Sequence, residues 1–268
     1  MDIFQALILG VVEGITEYLP VSSTGHLLLT QRALGIPESE AANAYAIAIQ
    51  AGAILAVLRL YWPRVKQVLE GFVGKNPEGK TLGICLITAF LPAAVVGLLF
   101  DDKVEEYLFG LWPIAIAWLV GGLVILAFPL NDKKEGKGLE VLHWRAALGI
   151  GLMQCLALWP GTSRSLVTIL AGLFLGLSVA AAVELSFLLG LVTLGAATAY
   201  EGLRNGSVMV DAYGIGVPLV GLVAALVSAF IAVRWMVSWL QSRGLAVFGW
   251  YRIAAGIVLV VLLASGTV

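Results

Sequence analysis

EGITEYLPVSSTGH, residues 13–26, sets two glutamates, two serines, two threonines and a histidine between apolar runs. Neither flank reaches the roughly 20 apolar residues that a crossing helix needs. Pro20 and the hydroxyl cluster behind it interrupt the run at its middle. Residues 2–34 therefore predict a half-helix in, a polar tip and a half-helix out. Irregular backbone at membrane depth is tolerated only where protein or a wet cavity surrounds it.

The rest of the chain fits that reading. Of 268 residues, 60% are hydrophobic and 12% charged, about half the roughly 25% of soluble domains. This predicts a single all-α integral membrane domain over 1–268. Six segments are long enough to span, near 41–60, 81–100, 112–129, 178–200, 214–240 and 249–266. Residues 142–177 are broken like 2–34 and predict a second re-entrant hairpin. A net charge of -1 gives no electrostatic case for nucleic acid. Cys85 and Cys155 sit in apolar segments and form no disulfide framework. Asp2 and the lack of a basic leader argue against a cleavable signal peptide.

Basic residues orient the chain. Arg59, Arg64, Lys66, Lys75 and Lys80 lie in the loop after the first span and its flanks, Lys133, Lys134 and Lys137 in the loop after the third, and Arg243 between the fifth and sixth, which puts these loops in the cytoplasm. The acidic 101–110 loop is then external, and the two hairpins enter from opposite faces. That is an inverted-topology repeat, the first copy about 2–100 and the second about 142–240. PVSST from Pro20 aligns without gaps to PGTSR from Pro160, and a one-residue gap brings Glu13 onto Gln154. Inverted repeats place their site near the midplane, where broken helices meet.

The tips carry the chemistry. Ser22, Ser23 and Thr24 in the first, and Thr162, Ser163 and Ser165 in the second, are good N-caps for returning half-helices. Two helix N-termini facing one another make an anion site. Arg164 adds a planar fork suited to phosphate. Glu13 and Glu17 are four apart, on one helix face, and need a compensating cation within a membrane; Mg²⁺ or Ca²⁺ suits carboxylate and phosphate oxygens. His26, three residues after Ser23, permits a Ser–His nucleophile pair.

Plainer readings stand beside these. Hydroxyls at membrane helix starts are commonly only caps, and a single His at a helix end is commonly a structural hydrogen-bonding residue. Intramembrane Glu and Arg are costly to insert and read as functional. Glu184 and Ser186 lie early in the fourth span, and Glu184 reads equally as an interfacial carboxylate; Gln50 and Thr168 are weaker candidates. Arg32, Arg234 and Arg252 read as snorkelling interface anchors. Gly190, Gly195, Gly216 and Gly221 allow close packing within a chain or in a homodimer.

EGITEYLPVSSTGH and LWPGTSRS closely resemble the two signature motifs of the undecaprenyl-diphosphate phosphatase family of bacterial inner membranes, the bacitracin-resistance type. AIQAGAILAV, with Gln50, and ELSFLL, from Glu184, resemble it also. The resemblance implies hydrolysis of undecaprenyl diphosphate to undecaprenyl phosphate and inorganic phosphate, recycling the carrier for cell-wall synthesis. It implies a divalent cation and a periplasm-facing site. The family's acidic motif falls on Glu13 and Glu17, its hydroxyl–His motif on Ser22, Ser23, Thr24 and His26, and its Arg motif on Ser163, Arg164, Ser165 and Thr168. In the expected mechanism Glu13 and Glu17 ligate the cation, Arg164 holds phosphate, and Ser23 attacks with His26 as acid or base. Direct attack by activated water is the alternative. The competing class is a transporter or flippase for a phosphate-bearing lipid, which has little reason to keep a nucleophile beside a metal site.

Overall fold

The computed structural model describes residues 1–127 and 136–266, which form helices joined by short turns. In chain order these are α1 Ile3–Thr16, α2 Ser23–Ala33, α3 Glu40–Leu60, α4 Trp62–Phe72, α5 Pro77–Leu108 and α6 Leu111–Ala127. Then follow α7 Trp144–Gln154 with a 3-10 turn over Cys155–Leu158, α8 Arg164–Phe174, α9 Val179–Tyr213, α10 Gly216–Arg243 and α11 Ala246–Ala264. The ends carry local signals. Asp2 and Gln5 form a capping box on α1, Ser178 caps α9, and Asn76 caps α5 ahead of Pro77. Gly214 and Gly244 stop α9 and α10 with left-handed backbone, φ 68° and 70°.

Among the described residues, α3, α5 to Phe100, α9, α10 to Leu240 and α11 are long and apolar enough to cross a membrane. The expected 112–129 span is α6, shorter at 17 residues, and its last two positions lie outside the described residues. Leu98, Leu99 and Ile231 on α5 and α10 point outward, an apolar exterior suited to lipid. Two helices outrun their expected spans, α5 to Leu108 and α9 to Tyr213. The basic loop after the first span is itself a helix, α4, docked by Arg64 on Glu184 of α9 at 2.7 Å. Lys133 and Lys134 lie outside the described residues; the Lys137 N–H donates to the Gly176 carbonyl.

The two hairpins, α1–α2 and α7–α8, share one register. Helix starts Ile3 and Trp144, tip residues Ser22 and Ser163, helix ends Leu34 and Leu175, and left-handed Gly35 and Gly176 are each 141 positions apart. Ser22 and Ser163 both have φ 73° and immediately precede a returning helix of 11 residues. This corrects the ungapped alignment from the prolines, which pairs Ser23 with Ser163. The left-handed turn fixes the register, so Ser23 corresponds to Arg164, and Glu13 meets Gln154 with no gap. The packing partners exchange likewise: α1 lies on α10 and α7 on α5, while α3 packs on α9 and α6 on α11. α8 is buried from Ser165 to Leu173, at the centre of the molecule.

Candidate active site

Both tips face one cavity of about 550 Å³. Ser22, Ser23 and Thr24 reach it from the first tip and Ser163 and Arg164 from the second, with Glu17 between. α2 begins at Ser23 and α8 at Arg164, so two helix N-termini meet there. Ser163 caps α8 by accepting the Leu166 N–H at 3.3 Å; Ser22 makes no side-chain cap bond.

A chain of hydrogen bonds joins the polar groups. The Ser23 hydroxyl donates to Glu17 Oε2 at 2.5 Å. The other oxygen, Oε1, accepts from Arg164 Nη2 at 2.9 Å. Side chains of Arg164 and Glu17 are 12% and 6% exposed, so this ion pair is shielded from water. Arg164 is held on three further sides. Its Nη1 donates to the Ser186 carbonyl at 2.8 Å. The Tyr18 ring lies 5.4 Å from its guanidinium carbon, and Gly190 leaves the space that the guanidinium fills.

Glu13, the other expected metal ligand, lies deeper. It is fully buried, and neither carboxylate oxygen has a hydrogen-bond partner. A buried carboxylate with free oxygens beside a second carboxylate is the donor set a hard cation takes. Glu13 and Glu17 are the residues that would hold a divalent cation here; among the described residues no group of three or more His, Cys, Asp or Glu side chains is placed to hold a metal ion by itself.

Ser165 and Thr168 support the second tip from behind. Ser165 donates to the Leu19 carbonyl at 2.9 Å and pairs with Ser163 at 3.0 Å. Thr168 donates to the Ser186 hydroxyl at 2.8 Å. Gln50 lines the cavity, whereas Glu184 lies apart from it on Arg64. The Glu184 carboxylate holds the Arg64 guanidinium above its ordinary pKa by accepting its hydrogen bond.

Two expectations change. His26 does not bond Ser23. Its Nδ1 meets the Ser22 carbonyl at 2.7 Å and its Nε2 the Tyr251 hydroxyl at 2.6 Å. Helical side chains lean toward the N-terminus, which carries the ring back over Ser22. Arg252 is no interface anchor. It is fully buried and donates to carbonyls of both tips, Pro20 at 3.3 Å and Gly161 at 2.9 Å. Arg32 stays at the end of α2, paired with Glu38. Tyr18 stands inside the first motif with nothing to mark a role of its own, Gly190 reads in sequence only as a packing residue, and Tyr251 lies outside the motifs; for Arg252 the charge in an apolar run was the available signal.

Away from the tips the cavity wall is mainly apolar, with Gln50 and Thr193 among its polar members. Ala93, Ala94 and Gly97 of α5 face Ala196 and Ala197 of α9 along it. Pro92 removes one backbone bond of α5 at this point.

Residues 6–258 match the model of one protein family, described as bacitracin resistance protein BacA. The chain belongs to this family. Relatives agree over almost the whole length. An undecaprenyl-diphosphatase of Sorangium cellulosum is 46% identical, covering 94% of this chain and 84% of its own. Undecaprenyl-diphosphatase 1 of Chromobacterium violaceum is 45% identical, covering 99% and 98%. An undecaprenyl-diphosphatase of Nitrosospira multiformis is 42% identical, covering 99% and 97%. The relatives' names fit a cavity that pairs a polar end carrying Arg164 and several hydroxyls with an apolar wall.

Proposed function

We propose that this protein hydrolyses undecaprenyl diphosphate to undecaprenyl phosphate and inorganic phosphate. The product is the lipid carrier of cell-wall synthesis, and its recycling confers bacitracin resistance. The observation that carries the chemistry is the Ser23–Glu17–Arg164 chain at the polar end of the cavity.

The diphosphate lies against the N-termini of α2 and α8, with the prenyl tail between α5 and α9. The Ser23 oxygen attacks the terminal phosphorus, and its proton passes to Glu17 Oε2. The bond from that phosphorus to the bridging oxygen breaks, and undecaprenyl phosphate leaves. Water then cleaves the phosphoserine, releasing phosphate and restoring the hydroxyl. Arg164 and the helix N-termini stabilise charge on the transferring phosphoryl group. The short Ser23–Glu17 bond favours this course over direct attack by water on Glu17. Ser22, Thr24 and Ser163 offer hydroxyls to the phosphate oxygens, and Ser165 and Thr168 hold the second tip in place. Glu13 and Glu17 would hold a divalent cation, Mg²⁺ or Ca²⁺, which would neutralise diphosphate charge.

In this proposal the hairpins are re-entrant, entering from opposite faces of the inner membrane as inverted copies, with the site opening to the periplasm. Their common register and the exchange of packing partners support that reading, as does the distribution of basic residues between loops.

The deciding experiment is phosphate release from undecaprenyl diphosphate by the purified protein, with Mg²⁺, with Ca²⁺ and with chelator, beside Glu17→Gln. Cation-dependent release that the substitution removes is expected. Folded protein that releases none under any condition overturns the reading in favour of lipid transport.

A further inference from the structure

α11 sends two consecutive side chains to the tips. Arg252 donates Nη2 to Ala117 of α6 at 2.8 Å and to Gly161 of the second tip at 2.9 Å. Its Nη1 donates to Pro20 of the first tip at 3.3 Å. One guanidinium thus ties together the two tips and a helix that packs behind them. The space for it comes from Gly121, where a Cβ would overlap the guanidinium. All three partners are backbone carbonyls, so this buried charge is not spent on a carboxylate.

Tyr251 holds the first tip by a second route. A carbonyl oxygen only accepts, so the His26 nitrogen on Ser22, Nδ1, carries the hydrogen. The neutral ring then accepts at Nε2 from the Tyr251 hydroxyl. The ring is further fixed by Trp118, 4.7 Å between centroids, and by stacking on Tyr251 at 5.7 Å. Ser22 is the residue with φ 73°, immediately before Ser23. Serine adopts that backbone only where its surroundings enforce it, and the bond to its carbonyl is one such constraint.

We propose that Tyr251 and Arg252 are positioning residues for the phosphatase reaction. They fix the carbonyls of Pro20, Ser22 and Gly161 and so set where Ser23 and Arg164 stand. His26 acts through this clamp and not as an acid or base. The proposal rests on the phosphatase reading, because the tips it positions are the reacting ones.

The test uses the full-length protein in detergent with undecaprenyl diphosphate, and variants Arg252→Gln, Arg252→Lys, Tyr251→Phe, His26→Asn and His26→Leu. Rates against substrate concentration separate kcat from KM, and a thermal melt checks the fold. Arg252→Gln should lower kcat by at least about tenfold, with KM within about threefold, since it touches carbonyls and not substrate. Arg252→Lys should fall between that variant and wild type. His26→Asn keeps a donor for the Ser22 carbonyl and should retain several times the kcat of His26→Leu. Tyr251→Phe should cost a smaller loss of kcat. The clamp is overturned by variants that match an active wild type, by Arg252→Gln acting on KM alone, or by His26→Asn as inactive as His26→Leu. If Arg252→Gln fails to fold, the His26 pair and Tyr251→Phe decide. A wild type that releases no phosphate instead overturns the phosphatase reading itself.

Discussion

At the scale of single residues, the site turns on which group faces Ser23. Glu17 accepts its hydroxyl and also carries Arg164, so one carboxylate orients both the proposed nucleophile and the charge proposed to bind phosphate. Ser23→Ala should therefore lower kcat by at least about a hundredfold, a barrier change of about 2.7 kcal/mol. Trapping of phosphoserine at position 23 in the wild type is the companion measurement, and full activity in the alanine variant sinks the nucleophile. Gly190 offers a less direct handle. A methyl group there would collide with the Arg164 guanidinium and push it off Ser186 and Glu17. Gly190→Ala is expected to lower kcat/KM by about tenfold or more while leaving the melting temperature close to wild type. Unchanged kcat/KM would show that Arg164 works from another position.

Among elements, the hairpins are placed by close contact with long helices. Gly10 and Gly14 of α1 lie against the backbone of α10 at Gly221 and Ala225, and Gly52 of α3 meets Leu222. Small residues let membrane helices approach to this distance. Gly10→Val should cost about 1–3 kcal/mol of overpacking, read as a lower melting temperature in detergent, whereas Gly195→Ala, with nothing near its Cβ, should not. Equal melts for the two would remove the argument that α1 is seated by glycine. Of the glycines singled out in the sequence, Gly190 and Gly221 serve contacts within the chain, and Gly195 and Gly216 meet nothing within 4 Å. The element boundaries were legible where N-caps mark them, as at Asp2 and Ser178. The extensions of α5 and α9 were not, because their last turns carry polar residues that hydropathy reads as loop. Nor was α4, since an amphipathic helix lying in a basic loop has too few apolar residues for the spanning pattern.

For the whole molecule, the proposed inverted arrangement makes a prediction about sidedness. A cysteine placed at Tyr107, exposed near the end of α5, should react with a membrane-impermeant thiol reagent in intact cells. One placed at Lys75, also exposed, should react only after the membrane is opened. The background is a chain with Cys85 and Cys155 replaced by alanine. The reverse labelling would turn the proposed topology over, and labelling of both from outside would break the orientation drawn from basic residues.

The sequence by itself determined that the chain is an apolar helical protein with two interrupted segments, and which residues the tips would carry. Composition and run length suffice for the first, because lipid demands apolar exteriors. Motif and insertion cost suffice for the second, because Glu17 and Arg164 have no cheap reason to stand in such surroundings. Only the tertiary structure decided the partners. Spacing puts Ser23 and His26 on one helix, but the lean of helical side chains sends the imidazole to Ser22 and Tyr251 and leaves the hydroxyl to Glu17. The register of the two tips came from a left-handed turn that the prolines do not mark. Arg252 sits in an apolar run like any interface anchor, and only the glycine opposite it on α6 and the two tip carbonyls show it to be buried. A pattern along one chain gives the face of a helix; what that face meets is set by helices more than a hundred residues away.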